Sequence, residues 1–342
     1  MRSFSLLTLI FVLFSSFIHS QVTNEWVTPE ILRTSSGRDL YFQELVFSDD
    51  STGWLVDQFG VLLKSINGGS SWSLSKHFES RKTSSIHFLS SDTGYVAGGW
   101  ETGYKRNGQC FVGRTRDAGN TWEDVSPLTR GTRTCHLRDV YFVDADLGWA
   151  VGVAQRPNEP LEKGIVFRTE DGGGSWKQID KGVENAGVIF AVEFESRNTG
   201  FAASNTGVWK TTDGGEGWVR VYDSKKEQLF DVSLIDRKIW AVGSNGLIIS
   251  SENSGRSWHT AVLPAALADL WFAKISVDAN GRLWVLGGFS GENAVLTSSN
   301  GGRSWTRETV SNSSGFLRSI AFPNANCVLL AGATDLLMRR CP

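Results

Sequence analysis

The sequence predicts an all-β fold: a seven-bladed β-propeller of four-stranded antiparallel blades, with the last blade closed by the N-terminal strand. Three observations predict it. A box of the form Ser/Thr-x-Asp/Asn-x-Gly-x-Ser/Thr/Gly-Trp occurs six times, and a second pattern, two apolar runs around a turn, occurs seven times. The composition suits a turn-dense β chain, with 37 Gly, 14 Trp and only 2 Met in 342 residues. Repetition at such a period marks one supersecondary unit used many times, and four short strands fill a unit of this length.

The first twenty residues stand apart from the repeat. Arg2 is a short basic region, and Leu6 to Ile18 is nearly all apolar. That run has the length of a signal-peptide core and falls short of the ~20 residues a spanning helix needs. Ser20 before Gln21 offers a small residue for cleavage. The expectation is a signal peptide at 1–20, a single propeller domain at 21–342, and a secreted or periplasmic protein that does not itself span the membrane.

The boxes are Ser65–Trp72, Thr115–Trp122, Thr169–Trp176, Thr211–Trp218, Ser251–Trp258 and Ser298–Trp305, their tryptophans 50, 54, 42, 40 and 47 residues apart. Asn67, Asp117, Asp171, Asp213, Asn253 and Asn300 hold the acid or amide position. Such side chains bond backbone amides in tight turns, and Gly supplies positive φ. The role expected of the box, with Trp72, Trp122, Trp176, Trp218, Trp258 and Trp305 packing between blades, is structural. Gly217 stands where the other boxes have a hydroxyl, which predicts a looser turn there.

The second pattern begins near Glu44, Ser85, Asp139, Ala191, Asp231, Lys274 and Ser319. Each unit therefore reads strand, turn, strand, turn, strand, box, Trp-led strand. The last unit ends without its Trp-led strand, while Trp26 in NEWVTPEI lies 46 residues before Trp72. The N-terminal strand is expected to fill that gap and to remove the open sheet edges.

The paired motifs, an aromatic-led run such as DVYFVDADLGWAVG followed by a box such as TEDGGGSW, resemble the Asp-box repeats of sialidase-like proteins and, more closely, the photosystem II stability and assembly factor family. The resemblance covers about residues 22–342. It implies a seven-bladed propeller in the thylakoid lumen or periplasm. It further implies a non-catalytic scaffold that binds a newly inserted membrane protein through an arginine-rich face.

Long loops on a rigid scaffold concentrate function. Three are long here: Gly98–Gly108, Ala154–Gly164 and the connection Val125–Leu137. They and their flanks carry Trp100, Tyr104, Lys105, Arg106, Arg130, Arg133, Arg138 and Arg156, and Arg318 in LRSI occupies the place of Arg138 in LRDV. The expectation is a basic, aromatic patch on the top face that docks a protein partner, a membrane-protein assembly intermediate if the resemblance holds. The competing expectation is a solvated, charge-balanced loop pair, because Glu101, Glu159 and Glu162 lie nearby. An even number of cysteines in an oxidising compartment allows disulfides. Cys110 with Cys135 would staple two of the loops, and Cys327 with Cys341 would pin the closing hairpin.

The net charge of −2 argues against nucleic acid as a partner, since phosphate contacts need a basic excess. No Cys/His spacing suggests a metal, no cofactor motif occurs, and a monomer is expected. Enzyme readings have less behind them. A glycoside hydrolase needs two convergent carboxylates, which Glu44, Asp139 and Asp231 could offer, but these could equally bond channel backbone. A sialidase needs an arginine triad and an F/Y-R-I-P motif, and Arg156-Pro157 is the single Arg-Pro pair. Carbohydrate binding rests on abundant Trp, yet only Trp100, Trp209 and Trp271 lie outside the repeated positions.

Overall fold

The computed structural model describes residues 26–31, 39–100, 109–129, 134–155, 163–289, 292–310, 316–333 and 337–341. The expected signal peptide, residues 1–20, lies outside them. The described chain is strand after strand, with one short 3-10 turn at Ala265–Leu267. Seven lead strands each open a run of antiparallel strands: Phe42–Phe47, Arg81–Phe88, Thr134–Phe142, Ile189–Phe194, Leu229–Ile235, Trp271–Val277 and Leu317–Ala321. We number the resulting units one to seven. Units four, five and six are separate four-stranded sheets, and unit seven has three described strands. Units two and three merge through one pairing, His136 with Gly99.

Unit one gains a fifth strand. Glu30–Ile31 pairs in parallel with Ser71–Trp72 at its outer edge. Just before it, Val27 and Arg339 exchange two backbone hydrogen bonds of 2.8 Å, an antiparallel bridge to the last strand of unit seven. The segment Trp26–Ile31 thus touches both the last unit and the first. Trp26 is buried against Trp284, Leu317 and Leu330, and the Arg340 guanidinium lies 4.7 Å from its ring.

The six boxes share one hydrogen-bond pattern. The first hydroxyl (Ser65, Thr115, Thr169, Thr211, Ser251 or Ser298) accepts the amide of the second Gly position at 2.8–2.9 Å. It also donates to the Asp or Asn oxygen two residues on. That same oxygen accepts the amide four residues after the Asp or Asn, six after the hydroxyl. At Gly217 this last bond survives at 3.0 Å, and only the hydroxyl contact that Thr121 and Ser175 add is lost. The backbone keeps the turn where a looser one was expected.

The box glycines also set how closely the units pack. Gly119, Gly215 and Gly302 have φ of +78°, +86° and +82°, and an added Cβ would lie 2.1, 2.5 and 2.3 Å from Trp54, Trp149 and Trp240 of the preceding unit. At Gly69 the obstructing atom belongs to Leu329 of unit seven, at 2.4 Å. Positive φ and close approach together require glycine here. Seven apolar clusters lie at the junctions between units, including one that joins Ala321, Leu329 and Leu337 of unit seven to Phe42, Leu45 and Leu55 of unit one. Two cysteine pairs add covalent ties, Cys110–Cys135 between units two and three and Cys327–Cys341 within unit seven.

Candidate functional site

Each lead strand carries a β-bulge at the same place, opposite its partner strand. The bulged residues are Gln43, Ser84, Arg138, Phe190, Phe230, Ala273 and Arg318. A bulge inserts a residue and turns it away from the regular alternation. All seven line one open depression of about 380 Å³, together with Glu44, Asp139, Ala191, Asp231 and Lys274 from the next position, and Trp271 and Phe316 above. The candidate site is therefore the mouth formed where the lead strands converge.

Its floor is a charged layer with a repeated task. In four of the seven units the side chain after the bulge reaches the following unit and accepts a backbone amide. Glu44 takes Ile86 N–H at 3.0 Å, Asp139 takes Val192 N–H at 2.9 Å, and Asp231 takes Ile275 N–H at 2.9 Å. Ser319 Oγ takes Leu45 N–H at 3.0 Å, which carries the pattern from unit seven to unit one. Asp139 also accepts the Ser85 hydroxyl and the Val140 amide. Lys274 Nζ lies 3.0 Å from Glu44 and 3.6 Å from Asp231.

Burial dominates the protonation of this layer. It pushes the Asp139 carboxyl up to about 7, with the Glu44 charge adding and Lys274 opposing. It pushes Asp231 up to about 6 against Lys274 and the Ile275 amide. Glu193, one layer deeper, rises to about 7 through burial and the Asp231 charge. Burial alone would depress the Lys274 ammonium, but Asp231, Glu44 and Asp139 hold it well above the usual lysine value. The carboxylates that sequence reasoning offered to hydrolytic chemistry are thus engaged in holding neighbouring units together. Among the described residues no group of three or more His, Cys, Asp or Glu is arranged to hold a metal ion.

The rim is divided by chemistry. Phe190 and Phe230 meet edge to face at 5.1 Å, Phe230 and Trp271 lie 5.8 Å apart, and Trp271 and Phe289 6.2 Å. Trp271 is 41% exposed and Phe289 48%. Arginine stands at each end of this arc, Arg138 in unit three and Arg318 in unit seven, and the polar Gln43 and Ser84 complete the circuit. The Arg318 guanidinium lies 5.3 Å from the Phe316 ring. Partial desolvation in the cavity, and then the like charge of Arg138, lower the Arg318 pKa.

Of the binding residues expected from sequence, the structure brings Arg138 and Arg318 to this one mouth. Tyr104, Lys105, Arg106, Arg130, Arg133 and Arg156, and the side chain of Trp100, lie outside what is described. The ends of two of those loops do meet. Cys110 bonds Cys135, and Gly99 pairs with His136, whose ring accepts or donates to Ser84 at 2.7 Å. Trp209 is buried in its strand. Sequence reasoning passed over Phe190, Phe230, Phe289 and Phe316 as site residues. The available signal is the doubled apolar start of two lead strands, Ile189-Phe190 and Leu229-Phe230, which breaks the alternation of a half-buried strand.

A family model described as photosynthesis system II assembly factor YCF48 matches residues 174–270. The photosystem II assembly lipoprotein Ycf48 of Picosynechococcus sp. is 23% identical over 185 residues, 52% of this chain and 53% of that protein, so the chain spans about half the length of this curated relative. Two solved structures share the fold. YCF48 bound to D1 peptide has a TM-score of 0.67 at 19% identity, covering 94% of this chain and 98% of that one. YCF48 from Cyanidioschyzon merolae has a TM-score of 0.69 at 18% identity, covering 93% and 99%. The fold is a β-propeller, and the chain is similar to the photosystem II stability and assembly factor-like family of Asp-box propellers.

Proposed function

We propose that this protein is an exported, non-catalytic propeller scaffold that binds a segment of a protein partner at the mouth of its lead strands. The carrying observation is the open depression of about 380 Å³ whose rim joins an apolar arc to two arginines. Its relative YCF48 has been solved with a D1 peptide, which supports a protein segment as the class of ligand. A membrane-protein assembly intermediate is the partner this reading favours. The basic loops around Arg106, Arg130, Arg133 and Arg156 would widen the docking face beside Arg138. We read the mature protein as a monomeric single domain, residues 21–342, freed of a signal peptide.

The test is retention of a membrane-protein partner from detergent-solubilised membranes of the source cell. Wild type should retain it. Arg138→Glu with Arg318→Glu should lose it while melting within about 2 °C of wild type, because exposed substitutions cost little stability. Retention unchanged in that variant rejects the mouth as the docking site, and retention unchanged in Arg106→Glu/Arg130→Glu/Arg133→Glu rejects the widened basic face.

The same proposal includes a closed ring of seven blades. Supporting it are the Ser319–Leu45 bond, the apolar junction between units seven and one, and the Trp26–Ile31 segment that touches both. Deleting residues 22–31 removes the buried Trp26 side chain and both bonds to Arg339. The expected cost is about 4 kcal/mol, or roughly 10 °C in Tm for a domain of this size. An unchanged melt would mean the segment does not close the ring.

A further inference from the structure

The arrangement of the rim says more about the ligand than its class. Going round the mouth from unit three to unit seven, the bulge positions and their neighbours run Arg138, Phe190, Phe230, Trp271, Arg318. An unbroken aromatic arc is therefore bracketed by a cation at each end. Its rings meet edge to face or tilted and still leave Trp271 and Phe289 substantially open to solvent. The carboxylates below offer an incoming cation little, because their oxygens already serve Ile86, Val192 and Ile275 amides and the Lys274 ammonium. Arg138 and Arg318 are the cations of the rim. The arc of Phe190, Phe230 and Trp271 offers contiguous apolar ring surface to an apolar side chain.

Resting on the reading of this protein as a binder of protein segments, we propose that the mouth takes an extended segment in which an aromatic side chain is flanked on both sides by carboxylates. The aromatic ring packs on the Phe190–Phe230–Trp271 arc. The flanking carboxylates meet the Arg138 and Arg318 guanidiniums, which form strong charge-assisted bonds with such groups. Apolar anchor and charged clamps then fix register as well as affinity.

The experiment is fluorescence anisotropy on the full mature protein with a labelled, N-acetylated and C-amidated peptide containing Glu-Phe-Glu within a Gly/Ser background. Blocked ends exclude a terminal carboxylate as the source of binding. Replacing Phe by Ser in the peptide should weaken binding about tenfold, and replacing both Glu by Lys about tenfold or more. On the protein side, Trp271→Ala should weaken it roughly fivefold, and Arg138→Gln with Arg318→Gln should remove most of its salt dependence. Equal binding of the Ser or Lys peptides, or no binding of the Glu-Phe-Glu peptide, overturns the proposal, as does cellohexaose binding in its place. The broader reading fails separately: if partner retention from membranes survives Arg138→Glu/Arg318→Glu, the mouth is not the docking site at all. If retention is lost while the peptide stays silent, the docking site stands and this ligand chemistry falls.

Discussion

Trp149→Ala is expected to lower Tm by about 10–15 °C. Trp149 is fully buried, stacked on Phe194 at a centroid distance of 3.4 Å, and its indole N–H donates to Gly214 O at 3.0 Å. The ring joins unit three to the box of unit four, where Gly215 leaves no room for a Cβ. Truncating a buried Trp costs ~3–5 kcal/mol through lost transfer energy and the cavity left behind. The loss of a stacked partner adds ~1 kcal/mol, and each kcal/mol moves Tm by ~2–4 °C in domains of this size. Trp305→Ala is the comparison, since that box tryptophan is only half-buried and its indole nitrogen has no partner. It should melt several degrees above Trp149→Ala. Scanning calorimetry of the two variants decides it, and equal losses would show that the junction tryptophans carry no special share of stability.

Lys274→Met is expected to destabilise the protein strongly at pH 8 and much less at pH 5.5. The ammonium neutralises Glu44 and Asp231, and Asp231 is only 5% exposed. Removing one partner of a buried ion pair costs ~3–5 kcal/mol; the lower end applies here, because the Lys274 side chain is 31% exposed within the mouth. The sign of the pH effect follows from the carboxyls. Asp139 at about 7 and Asp231 at about 6 lie above their unfolded values near 3.8. Their stabilising contribution is complete below pH ~4 and is lost as pH rises through 6–7. Without Lys274 they rise further, so acid relieves the variant by protonating them. His136, lowered to about 3 by burial and by the charges of Arg138 and Lys82, acts in the opposite direction. It is present in both proteins, so the wild-type-minus-variant difference isolates the acid cluster. Urea unfolding at the two pH values measures it, and a pH-independent difference would show that the carboxyls do not titrate with Lys274.

The two predictions draw on parts of the molecule that were unequally legible in sequence. Trp149 announces itself, because Trp54, Trp149, Trp240 and Trp284 recur at one place in the repeat with Tyr95 and Phe201 standing in. The boxes do so as well, since Ser/Thr, Asp/Asn and Gly act on their own backbone within eight residues. Lys274 does not. Its partners Glu44 and Asp231 come from units one and five, 230 and 43 residues away. Read alone, the three acids at equivalent positions suggested hydrolytic chemistry as readily as a structural clasp. The amides they accept belong to other units, which the sequence does not pair with them.

The sequence by itself determined the all-β repeat and its box turns, because each of those arises within one unit; it allowed the two cysteine pairs, and the tertiary structure joins them. The tertiary structure decided the mouth. Seven bulges had to converge before Arg138, Arg318, Phe190, Phe230 and Trp271 became one rim, and before carboxylates distant in the chain shared a single lysine. Local hydrogen bonding obeys spacing and can be read from it. Convergence depends on how successive sheets pack, and no spacing along the chain records which side chains that packing brings face to face.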